Sequence, residues 1–304
     1  MSRIHEALKK AAQEKAQRDD SPIPSELVDL TAAPASRMFE ESGPVAPFPA
    51  ETPGQVLKYQ ELIQHCAHPS WHFDSQLSAF HTAAENLIGA EQFRTLRGRL
   101  YQISEAQPLK RILVTSSIPA EGKTFVATNL AQSIIMQPDR RVLLIDADLR
   151  RPQLHTTLGA PQGPGLTDYL LGTADEIAIV QQGEGVEGLC LIPSGTDVSN
   201  PSELLMNGRL KQLLDSMAPM FDWVILDSPP TLAVHDASIL AAQTDGVLFV
   251  VRQGVTNFDL ALRATDEFRD KNLLGVVFNS ASADGSYGYY EYNYGTRGPK
   301  HHKH

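Results

Sequence analysis

Cysteine is almost missing from this chain. Only Cys66 and Cys190 occur, far apart and without a Cys-x-x-Cys spacing, so neither a disulfide framework nor a zinc site is indicated. Cys190 lies in the apolar run Leu189-Cys190-Leu191-Ile192 and reads as a small buried hydrophobe. Also missing is any run of about 18 apolar residues that could span a bilayer. The charged N-terminus lacks the apolar segment of a secretory signal. The chain therefore reads as cytoplasmic, with any membrane location supplied by a partner. Positive charge is not in excess: a formal net charge of -10 and a pI near 5.4 argue against nucleic acid as the main partner. No internal repeat is present, and 304 residues are ample for a full core.

Composition divides what remains. Residues 2–18 read as an amphipathic helix, with Ile4, Ala7, Leu8, Ala11 and Ala12 in one stripe flanked by Arg3, Lys9, Lys10 and Lys15. It suits docking on a partner or on the chain's own body; its Ala-rich face offers little membrane insertion energy. Residues 19–56 are rich in Pro, Ser, Ala and Glu and read as a linker without structure. A compact domain is expected over 57–284, with a helix at about 83–100 carrying apolar Leu87, Ile88, Phe93, Leu96 and Leu100. Within that helix Glu91, Arg94 and Arg97 follow i, i+3 spacing. By spacing alone, an exposed salt-bridge ladder is favoured over a face that meets a neighbouring subunit. The last segment, 285–304, is expected to be a flexible tail.

The central stretch is Ser117-Ile118-Pro119-Ala120-Glu121-Gly122-Lys123-Thr124, between the apolar run 111–116 and a helical pattern over 123–136 that starts with Lys123, Thr124 and Phe125. Strand, tight loop, Gly-Lys-Thr and helix is the setting a phosphate-binding loop needs. Backbone N–H groups and the helix N-terminus would face phosphates, Lys123 would reach the β- and γ-phosphates, and the Thr124 hydroxyl would sit on Mg²⁺. The first glycine of the usual loop pattern is Ser117 here. Further apolar runs at 141–146, 188–193, 222–227, 246–252 and 273–279 alternate with helical patterns at 201–217, 235–243 and 257–270. The fold class this predicts is α/β: a P-loop NTPase with a doubly wound, mostly parallel sheet, helices on both faces and its ligand at the strand C-termini.

Two of those strands end in aspartate. The run 141–146 leads into Asp146-Ala147-Asp148, and 222–227 ends in Asp227-Ser228-Pro229-Pro230. Three carboxylates beside a phosphate loop call for a hard divalent cation, which binds oxygen and keeps waters beside nucleotide phosphates. Such a site runs phosphoryl transfer from ATP with Mg²⁺. Water as nucleophile would make it an ATPase and a side chain a kinase. The tail offers a nucleophile: Tyr287, Tyr289, Tyr290, Tyr292 and Tyr294 are five of the chain's eight tyrosines, set among Gly, Ser and Asn. By composition alone a sticky Tyr/Gly tail is the simpler reading, with stacking on nucleic acid a weaker rival. Behind a nucleotide-binding domain, a phospho-acceptor tail is the better one.

From about residue 77 to 294 the chain resembles the bacterial tyrosine autokinases of capsular and exopolysaccharide export. The resemblance rests on 117–124 as Walker A, Leu144-Ile145-Asp146-Ala147-Asp148-Leu149-Arg150-Arg151-Pro152 as Walker A′, and Val224–Pro230 as Walker B. Asn200-Pro201-Ser202-Glu203-Leu204-Leu205, the Glu91-x-x-Arg94-x-x-Arg97 pattern and the tyrosine cluster add to it. The resemblance implies that ATP is held by Ser117, Pro119–Phe125 and Asn279, the last reading adenine. Thr124, Asp146 and Asp227 would hold Mg²⁺, and Lys123, Asp146 and Asp148 would be catalytic, with one of the two aspartates, Asp148 by preference, assisting the phenol. It also reverses the reading of Glu91, Arg94 and Arg97, which become an oligomerisation motif for a ring in which each subunit presents its tyrosines to a neighbour. A separate membrane activator of the chain-length-regulator type and an opposing tyrosine phosphatase are the implied partners. The rivals are a partition- or division-site-type ATPase, whose extra loop lysine is replaced here by Ile118, and a non-catalytic nucleotide-sensing scaffold.

Overall fold

The computed structural model describes residues 58–74, 77–80 and 87–280. The N-terminal helix expected at 2–18, the linker at 19–56 and the tyrosine tail at 285–304 lie outside the described residues.

Seven strands form one sheet: β1 (Arg111–Ser116), β2 (Val142–Asp146), β3 (Gln181–Gln182), β4 (Leu189–Ile192), β5 (Trp223–Asp227), β6 (Gly246–Arg252) and β7 (Leu273–Asn279). Their order is β3-β4-β2-β5-β1-β6-β7, and every pairing is parallel except β3 with β4. The helices are α1 (Tyr59–His65), α2 (Leu87–Ala106), α3 (Lys123–Ile135), α4 (Leu154–Leu158), α5 (Leu166–Leu171), α6 (Pro201–Met206), α7 (Arg209–Met217), α8 (Asp236–Ala241) and α9 (Phe258–Asp266).

The central strands are apolar throughout because both faces of the sheet are covered. Alternate side chains feed two cores. Leu113, Leu143, Ile145, Val224, Leu226 and Phe249 point to one, while Ile112, Val114, Leu144, Ile225 and Val250 point to the other. The second core is closed by α3, which is buried along nearly its whole length, and by α2 packed over it through Phe93 and Phe125, whose rings meet edge-on at 5.7 Å. Segment 77–80 is stapled to α3: Asn129 accepts from the Ala79 N–H at 2.6 Å and donates to the Leu77 carbonyl at 2.9 Å.

All six expected strands are present. The seventh, β3, was not foreseen: Gln181-Gln182 has no apolar pattern, and it forms where the backbone of Ala67, just past α1, bridges Gln181. The helix expected over 201–217 is two, α6 and α7, since Gly208 takes a left-handed φ of +83° that a continuing helix cannot accommodate. Helix α2 runs to Ala106, beyond the expected end at 100, and α1, α4 and α5 were not expected. Cys190 is fully buried, as its run implied, and Cys66 lies in the same core; both are free thiols.

Candidate active site

Sheet order decides where the site lies. Strands β2, β5 and β1 are neighbours, so the loop after β1 and the aspartates ending β2 and β5 emerge side by side at the C-terminal edge. Asp146 and Asp227 are register partners, and the Ala147 N–H donates to the Asp227 carbonyl at 2.8 Å.

The loop of 117–122 is held from within, from the segment after β6 and from the end of β7. Ala120 and Gly122 have positive φ, +65° and +93°, which folds the chain back on itself. Buried Glu121 accepts the Ile118 N–H at 2.7 Å through one carboxylate oxygen and the Thr256 hydroxyl through the other. Asn279, at the end of β7, donates its side-chain amide to the Glu121 carbonyl at 2.9 Å. A Cβ on Gly122 would stand 1.9 Å from that amide nitrogen, so any other residue would strain the left-handed backbone and push the Asn279 side chain off the loop. Helix α3 then starts at Lys123 with no side chain capping its N–H groups. An open helix N-terminus at a curled loop is a ready anion site.

Three buried carboxylates surround the loop's lysine. Lys123 Nζ donates to Asp148 Oδ2 at 2.7 Å, and the Thr124 hydroxyl donates to Asp227 Oδ2 at 2.6 Å. Asp146 Oδ2 accepts the N–H groups of Gln153 and Leu154 at 3.1 and 3.0 Å, while Asp148 Oδ1 accepts that of Arg151 at 3.1 Å. Burial, with the charges of Asp227 and Asp148 behind it, pushes the Asp146 carboxyl well above the usual range. Burial likewise raises Asp227 to about 6, against the pull of Lys123 and Thr124. For Lys123, burial works to lower the pKa, but Asp227, Asp148 and Asp146 together hold it above its ordinary value.

Two carboxylate oxygens are left over. Asp146 Oδ1 and Asp227 Oδ1 are buried and make no hydrogen bond, and the Ser117 hydroxyl is buried and unpartnered as well. Orphaned carboxylate oxygens beside a threonine hydroxyl are hard donors suited to Mg²⁺. Among the described residues no group of three or more His, Cys, Asp or Glu side chains forms a self-sufficient metal cage.

The structure thus brings Ser117, Pro119 to Phe125, Asp146, Asp148, Asp227 and Asn279 to one edge. It does not bring Glu91, Arg94 and Arg97 there as a set. Arg94 pairs with Glu91 on the surface of α2, and Arg97 donates to the Ser133 carbonyl of α3. The five tail tyrosines lie outside the described residues. Sequence reasoning missed the clamp role of Glu121 and its partner Thr256; the loop's own acidic residue was the available signal, but its partner lies 135 residues away.

With this geometry, the comparisons converge. A family model described as an AAA domain matches residues 110–260. The Tyrosine-protein kinase YwqD of Bacillus subtilis is 37% identical over 207 residues, covering 67% of this chain and 86% of that protein. The Tyrosine-protein kinase wzc of Salmonella typhimurium is 36% identical over 214 residues, 68% of this chain but only 29% of the relative, so the chain spans under a third of that longer protein. Among solved structures, the kinase domain of the Escherichia coli tyrosine kinase ETK superposes with a TM-score of 0.65 at 30% identity, covering 79% of this chain and all of that one. Among the described residues no helix is long and apolar enough to cross a membrane. A relative matched across most of its own length, on a chain whose phosphate loop and paired aspartate strand ends meet at one sheet edge, makes this protein a member of the bacterial tyrosine-protein kinase family.

Proposed function

We propose that the chain is an ATP- and Mg²⁺-dependent protein-tyrosine autokinase that phosphorylates Tyr287, Tyr289, Tyr290, Tyr292 and Tyr294 of an adjacent copy. The observation that carries the reading is the Lys123–Asp148 ion pair beside the Thr124–Asp227 bond, with one orphaned oxygen on each of Asp146 and Asp227. Thr124 and Asp227, with Asp146 beside them, would hold Mg²⁺, which when bound neutralises charge on the phosphates. The loop N–H groups and the start of α3 bind the phosphates, and Asn279 stands beside the loop where the base would lie.

Lys123 is positioned to exchange Asp148 for phosphate oxygens. Asp148 Oδ2 then loses its partner and is available to accept the proton of an incoming phenol, whose free pKa of about 10 makes assistance necessary near neutral pH. The phenol oxygen takes the γ-phosphoryl group, the bond to the β-phosphate oxygen breaks, and ADP leaves. Ile118 offers the loop no second lysine, which speaks against the partition-type ATPase.

The remaining parts of the reading follow from family membership and the surface of α2. Subunits would associate through Glu91, Arg94 and Arg97 into a ring, a separate membrane protein would activate them at the inner face of the membrane, and a tyrosine phosphatase would reset the tail. Each phosphate adds roughly -1.5 to -2 charge, so a fully modified tail carries about -8 to -10 and would oppose ring assembly. Polysaccharide export is the process such a cycle would gate. The test is mass spectrometry of the C-terminal peptide after incubation with ATP and Mg²⁺, with and without a candidate activator. Phosphate on the tyrosines is expected, and replacing all five by Phe should remove most of it while nucleotide binding persists. An unmodified tail from protein that turns ATP over would reduce the reading to hydrolysis.

A further inference from the structure

The two aspartate-bearing arms are joined by the sheet only as far as Asp146, Asp227 and the Ala147 N–H. Beyond that point residues 148–152 make a turn that leads to α4, and 228–236 run to α8. One polar cluster rejoins them. Arg150, on the turn, donates from Nε to Asp236 Oδ2 at 2.7 Å and from Nη2 to Asp236 Oδ1 at 3.3 Å. The same Nη2 donates to the Ser202 hydroxyl at 2.9 Å, and Ser202 donates to Asp236 Oδ1 at 2.5 Å. Among the described residues no other hydrogen bond or ion pair links 148–152 with 228–236.

The burial of this cluster is lopsided. The Asp236 side chain is 1% exposed, whereas that of Arg150 is 38% exposed. A buried carboxylate cannot release its cation without leaving an uncompensated charge, so Asp236 holds Arg150 more firmly than a surface pair would. The forked guanidinium takes both carboxylate oxygens, which fixes direction as well as distance. Arg150 lies two residues past Asp148, and the Arg151 N–H that follows it donates to Asp148 Oδ1. Whatever fixes Arg150 therefore fixes the angle at which Asp148 meets Lys123.

We infer that Asp236 and Ser202 form a socket for Arg150, and that the three are positioning residues which hold the Asp146–Pro152 turn, and with it Asp148, in the geometry phosphoryl transfer requires. None of the three touches the phosphate loop. They act through the turn. The inference rests on the proposed kinase reading for its purpose, but its physical content is the placement of that turn.

The test uses the full chain and the double variant R150M/D236L, which removes both charges together and so avoids a stranded buried carboxylate. Hydrogen exchange of the nucleotide-free protein should show faster exchange across 147–154, where the N–H groups of Arg151, Gln153 and Leu154 are held by Asp148 and Asp146, with β2 and β5 protected as in wild type. With Mg²⁺-ATP, kcat for ADP formation should fall by about ten-fold or more while KM for ATP stays within about two-fold, since a turn displaced by an ångström spoils alignment before binding. R150K should recover part of kcat, and S202A should lose less than the double variant. Unchanged exchange over 147–154, or wild-type kcat, would overturn the inference. So would loss of protection in β2 and β5 with kcat and KM moving together, which would mark a merely structural pair. ADP formation needs no tyrosine acceptor, so a wild-type chain that hydrolyses ATP without labelling its tail removes the kinase reading and leaves the exchange and kcat results to decide the socket.

Discussion

The phosphate loop and the turn after β2 stand side by side at the same sheet edge, yet they are held in different ways. The loop is held by groups with no evident part in the reaction: Glu121 clamps Ile118 and Thr256, Asn279 pins the Glu121 carbonyl, and a positive φ at Gly122 completes the curl. The turn, besides its Arg150 anchor, is held by the carboxylates proposed for the reaction. Asp146 accepts two backbone N–H groups with one oxygen and keeps the other free, and Asp148 divides itself between Lys123 and Arg151. The loop is therefore a preformed cradle. The turn is a structure whose supports must also be spent on chemistry, and substitutions should separate the two.

The largest effect is expected in the loop. Gly122→Ala meets both a left-handed backbone and an amide nitrogen 1.9 Å from the new Cβ. It should cost about 1–3 kcal/mol of stability and most nucleotide binding, read by thermal melting and fluorescent-nucleotide titration. Lys123→Met should leave the curl intact and remove about 10²-fold or more of phosphoryl transfer by deleting the cation proposed to meet the transferred charge. If Gly122→Ala bound nucleotide normally, the cradle would not be preformed.

The turn should behave in the opposite sense. Asp146→Asn keeps an acceptor for the Gln153 and Leu154 N–H groups and removes a carboxyl whose charge is opposed by burial and by two neighbouring acids. Nucleotide-free stability should hold or rise while turnover falls about 10²-fold, the trade expected where function imposes strain. The pH dependence sharpens this. Asp227 titrates at about 6 in the folded chain against 3.8 unfolded, so between these values the folded state holds a proton that the unfolded state has released. Nucleotide-free stability therefore falls as pH rises through that window, with the penalty complete above about 6. If Asp227 holds Mg²⁺ as proposed, its carboxylate must be ionised for binding, so the thermal stabilisation added by Mg²⁺-ADP should grow over the same rise in pH. Differential scanning at pH 4 to 6.5, with and without Mg²⁺-ADP, measures both slopes across that window; a stabilisation independent of pH would remove Asp227 from the ligand set.

This contrast also explains what could be seen in the sequence. A parallel sheet covered on both faces makes each strand a run of apolar residues, so the six main strands announced themselves. A loop with Gly-Lys-Thr at a strand-helix junction and aspartates at strand ends are local patterns of the same kind. What could not be seen depends on distant parts of the chain. Gln181 and Gln182 become a strand because Ala67 bridges beside them, and Glu121 is a clamp because Thr256 comes to meet it. Asp236 looks like any acidic residue at the start of a helix until folding buries it against Arg150. The break at Gly208 was legible, since Asn-Gly is a turn signal, but the apolar residues of 201–217 continued across it and suggested one helix.

The smallest expected effect lies on α2, away from both loop and turn. Arg94 and Glu91 form an exposed i, i+3 ion pair, worth a few tenths of a kcal/mol to the helix. Arg97 differs, because its guanidinium donates to the Ser133 carbonyl and so ties α2 to the helix that starts at the phosphate loop. Glu91→Ala with Arg94→Ala should leave the stability read by thermal melting unchanged within about 0.5 kcal/mol. Arg97→Ala should lower it further by releasing α2 from α3. If these residues join copies of the chain, the exposed pair should nevertheless reduce the mass seen by light scattering as much as Arg97→Ala does. A mass that follows only Arg97, in step with melting, would assign the motif to packing within one chain and leave delivery of a neighbour's tyrosines to some other surface.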